Sequence, residues 1–220
     1  MGRSQHKNSW PTIAVMQQVY QDKLWGTNGC DFYSGEGSHH PILIEPYVDK
    51  MVSFLRSFPD PISVCDLGCG DFNIGRRLAP FTKRYVAVDI VPELIAFNHN
   101  HFSDTNVVFQ CLDIAKKDLP KSDCAILRQV LQHLSNDEVA QIIKKLAQYK
   151  YVILTEHLPE GDFAPNIDII SGQGIRLKKQ SGLDLLKPPF SMHVKKTEVM
   201  LSQIPISHPG IIMTTLLQLF

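Results

Sequence analysis

A chain of 220 residues is one domain of ordinary size, and 22 Lys+Arg against 22 Asp+Glu leaves no global field to draw in a polyanion, so nucleic acid is not the expected partner. With 44% hydrophobic and 20% charged residues the sequence excludes a disordered chain; its longest apolar runs are strand-length and its opening, MGRSQHKNSW, lacks an apolar stretch, so neither a membrane span nor secretion is expected. Cys30, Cys65, Cys69, Cys111 and Cys124 form no disulfide framework and no metal-ligand spacing, which points to a reducing cytoplasm and no metal.

In chain order, Ile13, Met16, Val19, Tyr20 and Leu24 recur at helical spacing, and Trp25-Gly26 ends the run. A glycine-rich loop from Cys30 to His40 follows. Ile44, Tyr47, Val48, Met51, Val52 and Leu55 mark a second helix, stopped by Pro59. From Ile62 the rhythm becomes strand, turn, helix. Strands are read at Ile62–Leu67, Tyr85–Ile90, Val107–Cys111, Cys124–Gln129 and Tyr151–Thr155. Helices are read at Ile74 to Leu78, from Pro92-Glu93, and after the Ser135-Asn136-Asp137-Glu138 capping box. Such alternation implies crossover units and a parallel sheet covered on both faces. The Gly/Pro-rich stretch from Leu158 is too long for a connection and reads as a lid, with Lys187-Pro188-Pro189-Phe190 a rigid corner. Glu198–Ile204 and Ile211–Leu219 then form a hairpin.

The chemistry gathers where the first strand runs into Asp66-Leu67-Gly68-Cys69-Gly70. Glycines let a ligand approach the backbone closely, and ligands of open α/β sheets bind at the carboxyl ends of strands. Asp89 ends the second strand, placed for a ribose diol, and Asp113 follows the third, where it either meets an exocyclic amine or staples a turn. Acids at successive strand ends suit a ligand with an amine, a ribose and an adenine. They suit a pyrophosphate badly, and Asn73 stands where a dinucleotide fingerprint wants its third glycine.

On these residues the sequence resembles the class I S-adenosylmethionine-dependent methyltransferases, over 62–157 by motif and through 220 by topology. The small-molecule branch is the nearer likeness. The resemblance implies a single three-layer α/β domain, its Rossmann-like sheet mostly parallel with a C-terminal antiparallel hairpin. Residues 1–60 would form a helical cap, 61–157 the cofactor-binding core, 158–194 a lid and 195–220 the hairpin. It implies that Asp66, Gly68, Cys69 and Gly70 line the methionine end of S-adenosylmethionine. Asp89 would take the ribose with Ile90 against the adenine, Asp113 and Ile114 the adenine edge, and Arg128-Gln129 the reactive methyl. S-adenosylhomocysteine would be the product.

Acceptors in this family lie over the ends of the fourth and fifth strands, which makes His133, Glu156 and His157 the candidates for a base or an acceptor contact. Trp25, Tyr33, Ser38, His39 and Arg176 are the candidates for binding the acceptor, from the glycine-rich loop and the basic lid. The expected activity is methyl transfer to a small molecule by a monomer or homodimer. Methylation of RNA or protein, and a module that binds the cofactor without turnover, stay open.

Overall fold

The computed structural model describes residues 10–29, 31–102 and 106–220. Cys30, from which the glycine-rich loop was counted, and most of the opening stretch lie outside them. Strands β1 (Ser63–Leu67), β2 (Arg84–Asp89), β3 (Val107–Cys111), β4 (Cys124–Arg128) and β5 (Tyr151–Leu158) are joined by β6 (Lys196–Gln203) and β7 (Ile211–Gln218) in one sheet. The order is β3-β2-β1-β4-β5-β7-β6. β1 to β5 run parallel, and β7 is antiparallel to both β5 and β6. The order reverses between β1 and β4, and the crevice above their carboxyl ends is where such a sheet binds ligands.

Period-two alternation divides the core between the two faces. Cys65, Leu67, Val86, Leu127 and Val152 pack with Val139, Ile142 and Leu146 of α5 (Asn136–Leu146) and with α1 (Thr12–Gln21) and α4 (Pro92–His101). Val64, Ala87, Ile126 and Ile153 pack instead with Tyr47, Val48, Met51 and Leu55 of α2 (Pro41–Arg56) and with Leu78 of α3 (Gly75–Leu78). β1, β2, β4 and β5, buried on both sides, therefore read as near-continuous apolar strands.

Several boundaries differ from the sequence reading, each for a physical reason. α1 stops at Gln21 because Lys23 turns left-handed (φ 51°) and Leu24 N–H closes back onto Val19 O at 2.9 Å, so Leu24 and Trp25 lie beyond the helix. α2 runs through Pro46, whose missing N–H would orphan the Ile42 carbonyl; Gln203 Nε2 donates to Ile42 O at 3.3 Å and to Leu43 O at 3.0 Å. β5 continues to Leu158 because β7 pairs along its whole length, Glu156 opposite Met213 and His157 opposite Ile212. The capping box of α5 is present as read.

The stretch 159–195 has no strand, only a short 3-10 turn at Arg176–Lys179. Asn166 organises it: its Nδ2 donates to Asp184 O (2.7 Å) and Pro188 O (2.9 Å), and its Oδ1 accepts from Asp184 N (2.8 Å). Leu183 and Leu185 anchor it in the core. No helix among the described residues is long and apolar enough to cross a membrane.

Candidate active site

β1 delivers the chain into a turn that only glycines allow. Gly68 (φ +93°) and Gly70 (φ +55°) are left-handed, and a Cβ on either would collide, with Val130 and with Ser34 respectively. Gly68 and Cys69 N–H donate to Val88 O at 2.8 and 2.9 Å, which fixes the turn against β2. Asp89, at the end of β2, then accepts from Gly70 N and Val91 N, both at 3.1 Å. Burial pushes its carboxyl up, while those N–H groups pull it down. Asp66 is buried beside it, accepting from the Tyr85 hydroxyl at 2.8 Å; burial raises its carboxyl to about 7, against the opposing Tyr85 bond. Burial, then Asp89, Asp66 and Asp71, raise the Cys69 thiol, which stays protonated.

Asp71 ties the N-terminal loop over this turn. It accepts from Ser34 N at 2.8 Å and lies 2.6 Å from His39 Nε2, while Ser34 Oγ accepts from Asp71 N (2.8 Å) and contacts Tyr20 Oη (3.0 Å). Tyr33 packs on the His39 ring with centroids 4.5 Å apart. Tyr33 and His39 thus hold the loop in place, and neither lines the cavity expected for the acceptor. Ser38 does line it, with Oγ accepting from Arg128 Nη1 at 3.3 Å.

The cavity enclosed by these elements holds about 800 Å³, near the top of the usual range of roughly 300–1,000 Å³ for ligand sites. Asp66, Gly68, Cys69, Gly70, Asp89 and Ile90 line one end, with Asp113 and Ile114 beside them. Asp113 also staples its turn, accepting from Ala115 N (3.0 Å) and Lys116 N (3.3 Å) and pairing with Lys116 Nζ (2.9 Å). Arg128 and Gln129 stand at the middle. Gln129 is left-handed (φ 57°) with its N–H on Thr155 O at 2.7 Å, an uncommon conformation for a residue with a side chain. The Arg128 guanidinium donates to Gly37 O (2.5 Å) and lies 4.8 Å from the Tyr47 ring centre. It has no carboxylate partner, and its Nε bonds to nothing among the described residues.

Trp25, Gln132, His133 and His157 line the other end, with the hairpin connection at Pro205, Ile206, His208 and Pro209. His133 faces Trp25 at 5.3 Å, and burial lowers its imidazole to about 4, so it is neutral. Burial also lowers His157, whose Nε2 lies 2.9 Å from Pro209 O.

Glu156 and Arg176 do not face the cavity. Glu156 is 2% exposed because its side chain projects to the covered face of β5, and burial raises its carboxyl to about 8, with Arg176 opposing. Arg176, 1% exposed, is no part of a basic lid surface: it donates to Leu131 O (3.2 Å), Leu134 O (2.8 Å) and Asn136 Oδ1 (2.7 Å). Those carbonyls follow β4 and have no strand partner, which is what draws a guanidinium inward. Asp71 and Ser34 went unread in the sequence although Asp71 adjoins the glycine turn. Gln132 carries no local signal, and Glu138 reads locally only as the last residue of the capping box. Glu138 joins three distant segments, accepting from Ser135 Oγ (2.9 Å), Ser171 Oγ and Thr12 Oγ1. Among the described residues no group of three or more His, Cys, Asp or Glu could hold a metal ion.

Residues 64–149 match the model of a methyltransferase domain. The resemblance to the class I S-adenosylmethionine-dependent methyltransferases holds in this domain and in the fold. The N-methyltransferase NodS of Bradyrhizobium japonicum WM9, in complex with S-adenosyl-L-homocysteine, superposes with a TM-score of 0.66 at 12% identity, covering 93% of this chain and 98% of that one. By sequence the chain is similar to a probable ribosomal RNA small subunit methyltransferase A of Methanosarcina acetivorans, 26% identical over 125 residues, 56% of this chain and 44% of that one. It is also similar to a malonyl-[acyl-carrier protein] O-methyltransferase of Acetivibrio thermocellus, 30% identical over 90 residues, 40% of this chain and 31% of that one. The chain spans less than half the length of the curated relatives it matches.

Proposed function

We propose that this chain is an S-adenosylmethionine-dependent methyltransferase acting on a small molecule. The observation that carries the reading is the glycine turn, which gathers the buried carboxylates of Asp66 and Asp89 at one end of a single cavity whose wall also holds Arg128, a buried cation with no carboxylate partner among the described residues. Carboxylates there repel a pyrophosphate but accept from an ammonium and a ribose diol. Arg128 offers a buried cation to a carboxylate. In this reading Asp66, Gly68, Cys69 and Gly70 hold the amino-acid end, Asp89 the ribose with Ile90 on the adenine, and Asp113 and Ile114 the adenine edge. The bound cofactor supplies an electrophilic methyl on a sulfonium. The chain's own contribution is alignment and exclusion of water: Arg128 and Gln129 stand at the middle of the cavity, while Trp25, His133 and His157 wall the acceptor end.

A small acceptor is favoured by that walled end and by the balanced charge of the chain. The likeness to ribosomal RNA methyltransferases supports a second reading, RNA as acceptor. Calorimetric titration with S-adenosylmethionine, S-adenosylhomocysteine and NAD tests the cofactor: micromolar binding of the first two and none of NAD is expected. Folded protein that binds neither would overturn the proposal, and tight, salt-sensitive binding of structured RNA would move the acceptor to the second reading.

A further inference from the structure

The histidines at the acceptor end are wired by hydrogen bonds whose direction can be deduced. His157 N–H donates to Gln132 Oε1 at 2.9 Å, which fixes the amide so that its Nε2 points away. That Nε2 lies 3.3 Å from His133 Nε2. On the far side of the same ring, His133 Nδ1 lies 3.1 Å from Gly172 O, and Gly172 N returns a bond to His133 O at 2.9 Å. A carbonyl only accepts, so Nδ1 carries the hydrogen and Nε2 keeps its lone pair. Pro209 O imposes the opposite tautomer on His157, leaving that ring's Nδ1 as its acceptor. The burial that lowers both rings keeps them neutral.

The charges around them are equally constrained. Glu138 already accepts from Ser135, Ser171 and Thr12, and Glu156 does not line the cavity. Asp66, Asp71, Asp89 and Asp113 belong to the glycine-turn end, and Glu36 lies in the loop close to Tyr33. The cations on the cavity wall are Arg128 and Lys178. An ammonium at His133 Nε2 would find a neutral imidazole and the Gln132 amide, neither of which offers it a counter-charge. A hydroxyl meets what it needs: it donates to His133 Nε2 in place of the long Gln132 contact, and its oxygen then accepts from the freed Gln132 N–H.

We infer that His133 and Gln132 form a hydroxyl-reading subsite, so that the methyl acceptor of this chain is an uncharged hydroxyl compound and not an amine. The inference rests on the methyltransferase reading for its setting, though the wiring of His133 does not. The test uses isotope-labelled full chain, with the imidazole nitrogens followed by NMR at neutral pH, first alone and then saturated with S-adenosylhomocysteine. The probes are p-cresol and benzylamine. His133 is expected as the neutral Nδ1–H tautomer, p-cresol should shift its Nε2 signal, and benzylamine should leave it unmoved. His133→Phe, which keeps a ring against Trp25, should weaken p-cresol binding by about tenfold or more while S-adenosylhomocysteine affinity stays within about twofold. If that variant fails to fold, the tautomer and both probes are still read on the unsubstituted chain. An Nε2–H tautomer, no binding of p-cresol to the saturated protein, or benzylamine bound as tightly as p-cresol overturns the inference. Failure of S-adenosylhomocysteine to bind strikes the methyltransferase reading instead and leaves the tautomer result standing.

Discussion

At the β1–β3 end of the cavity Asp89 and Asp113 are held by backbone N–H groups, Asp89 by those of Gly70 and Val91, Asp113 by those of Ala115 and Lys116. At the β4–β5 end side chains are held chiefly by backbone far along the chain, Gln132 by His157, His133 by Gly172 and Arg176 by the 131–136 turn. Removing a side chain of the first kind frees one or two backbone N–H groups beside the cavity and takes ligand contacts with it. A side chain that satisfies distant carbonyls leaves them bare when it goes. The first end is therefore tuned for binding, while the second doubles as a structural joint.

The sharpest way to break that contrast is Arg176→Ala, which leaves Leu134 O and Asn136 Oδ1 without their guanidinium donor and Leu131 O with the Leu134 N–H alone. We expect a loss of about 3 kcal/mol or more in denaturant titration; an unchanged midpoint would dissolve the joint. Asp89→Ala should show the reverse, weakening S-adenosylhomocysteine by about 1–3 kcal/mol in calorimetry with a smaller change in stability. Equal losses of binding and stability would make the two ends alike.

Glu156 sharpens the comparison through pH. Folded, it keeps its proton until about 8; its ordinary value is 4.5. Its contribution to stability is thus complete below 4.5, declines as pH rises, and is gone above about 8. Glu156→Gln, which cannot ionise, should exceed the unsubstituted chain by about 1 kcal/mol above pH 8 and show no such gain in acid, as paired melts would reveal. A gain that is the same at both pH values would deny the buried charge. The smallest effect expected is from Ser135→Ala, about 1 kcal/mol in thermal or denaturant melts, for the lost cap of α5.

The same contrast explains what could be read from the sequence. The strand, turn and helix rhythm from Ile62 to Thr155 is local, so the fold and the glycine turn with its acids are visible without tertiary structure. Arg176 is not: beside Lys178, Lys179 and Lys187 it looks like one more solvated cation, and only the carbonyls of Leu131 and Leu134, brought to it by the fold, distinguish it. Glu156 and His157 look like residues of a loop because the strand that extends β5 over them begins at Ile211. Of the residues expected as acceptor contacts, His39 is claimed by Asp71 and Tyr33 packs on the His39 ring, an arrangement that depends on how the N-terminal loop folds back.

The position of β7 has a consequence for the order in which the molecule can be assembled. β5 is a central strand, yet one of its neighbours, β7, lies beyond all of 159–210 and after β6. As the chain emerges, β1 to β5 can pair in turn while the outer side of β5 stays an open apolar edge, its Val152 and Leu154 waiting for Leu217 and Thr215. Such an edge is a template for another chain, and pairing across so long a loop is slow. Nascent protein halted before Ile211 is accordingly the species that should recruit a chaperone or aggregate, while addition of the final strand closes the edge and releases it.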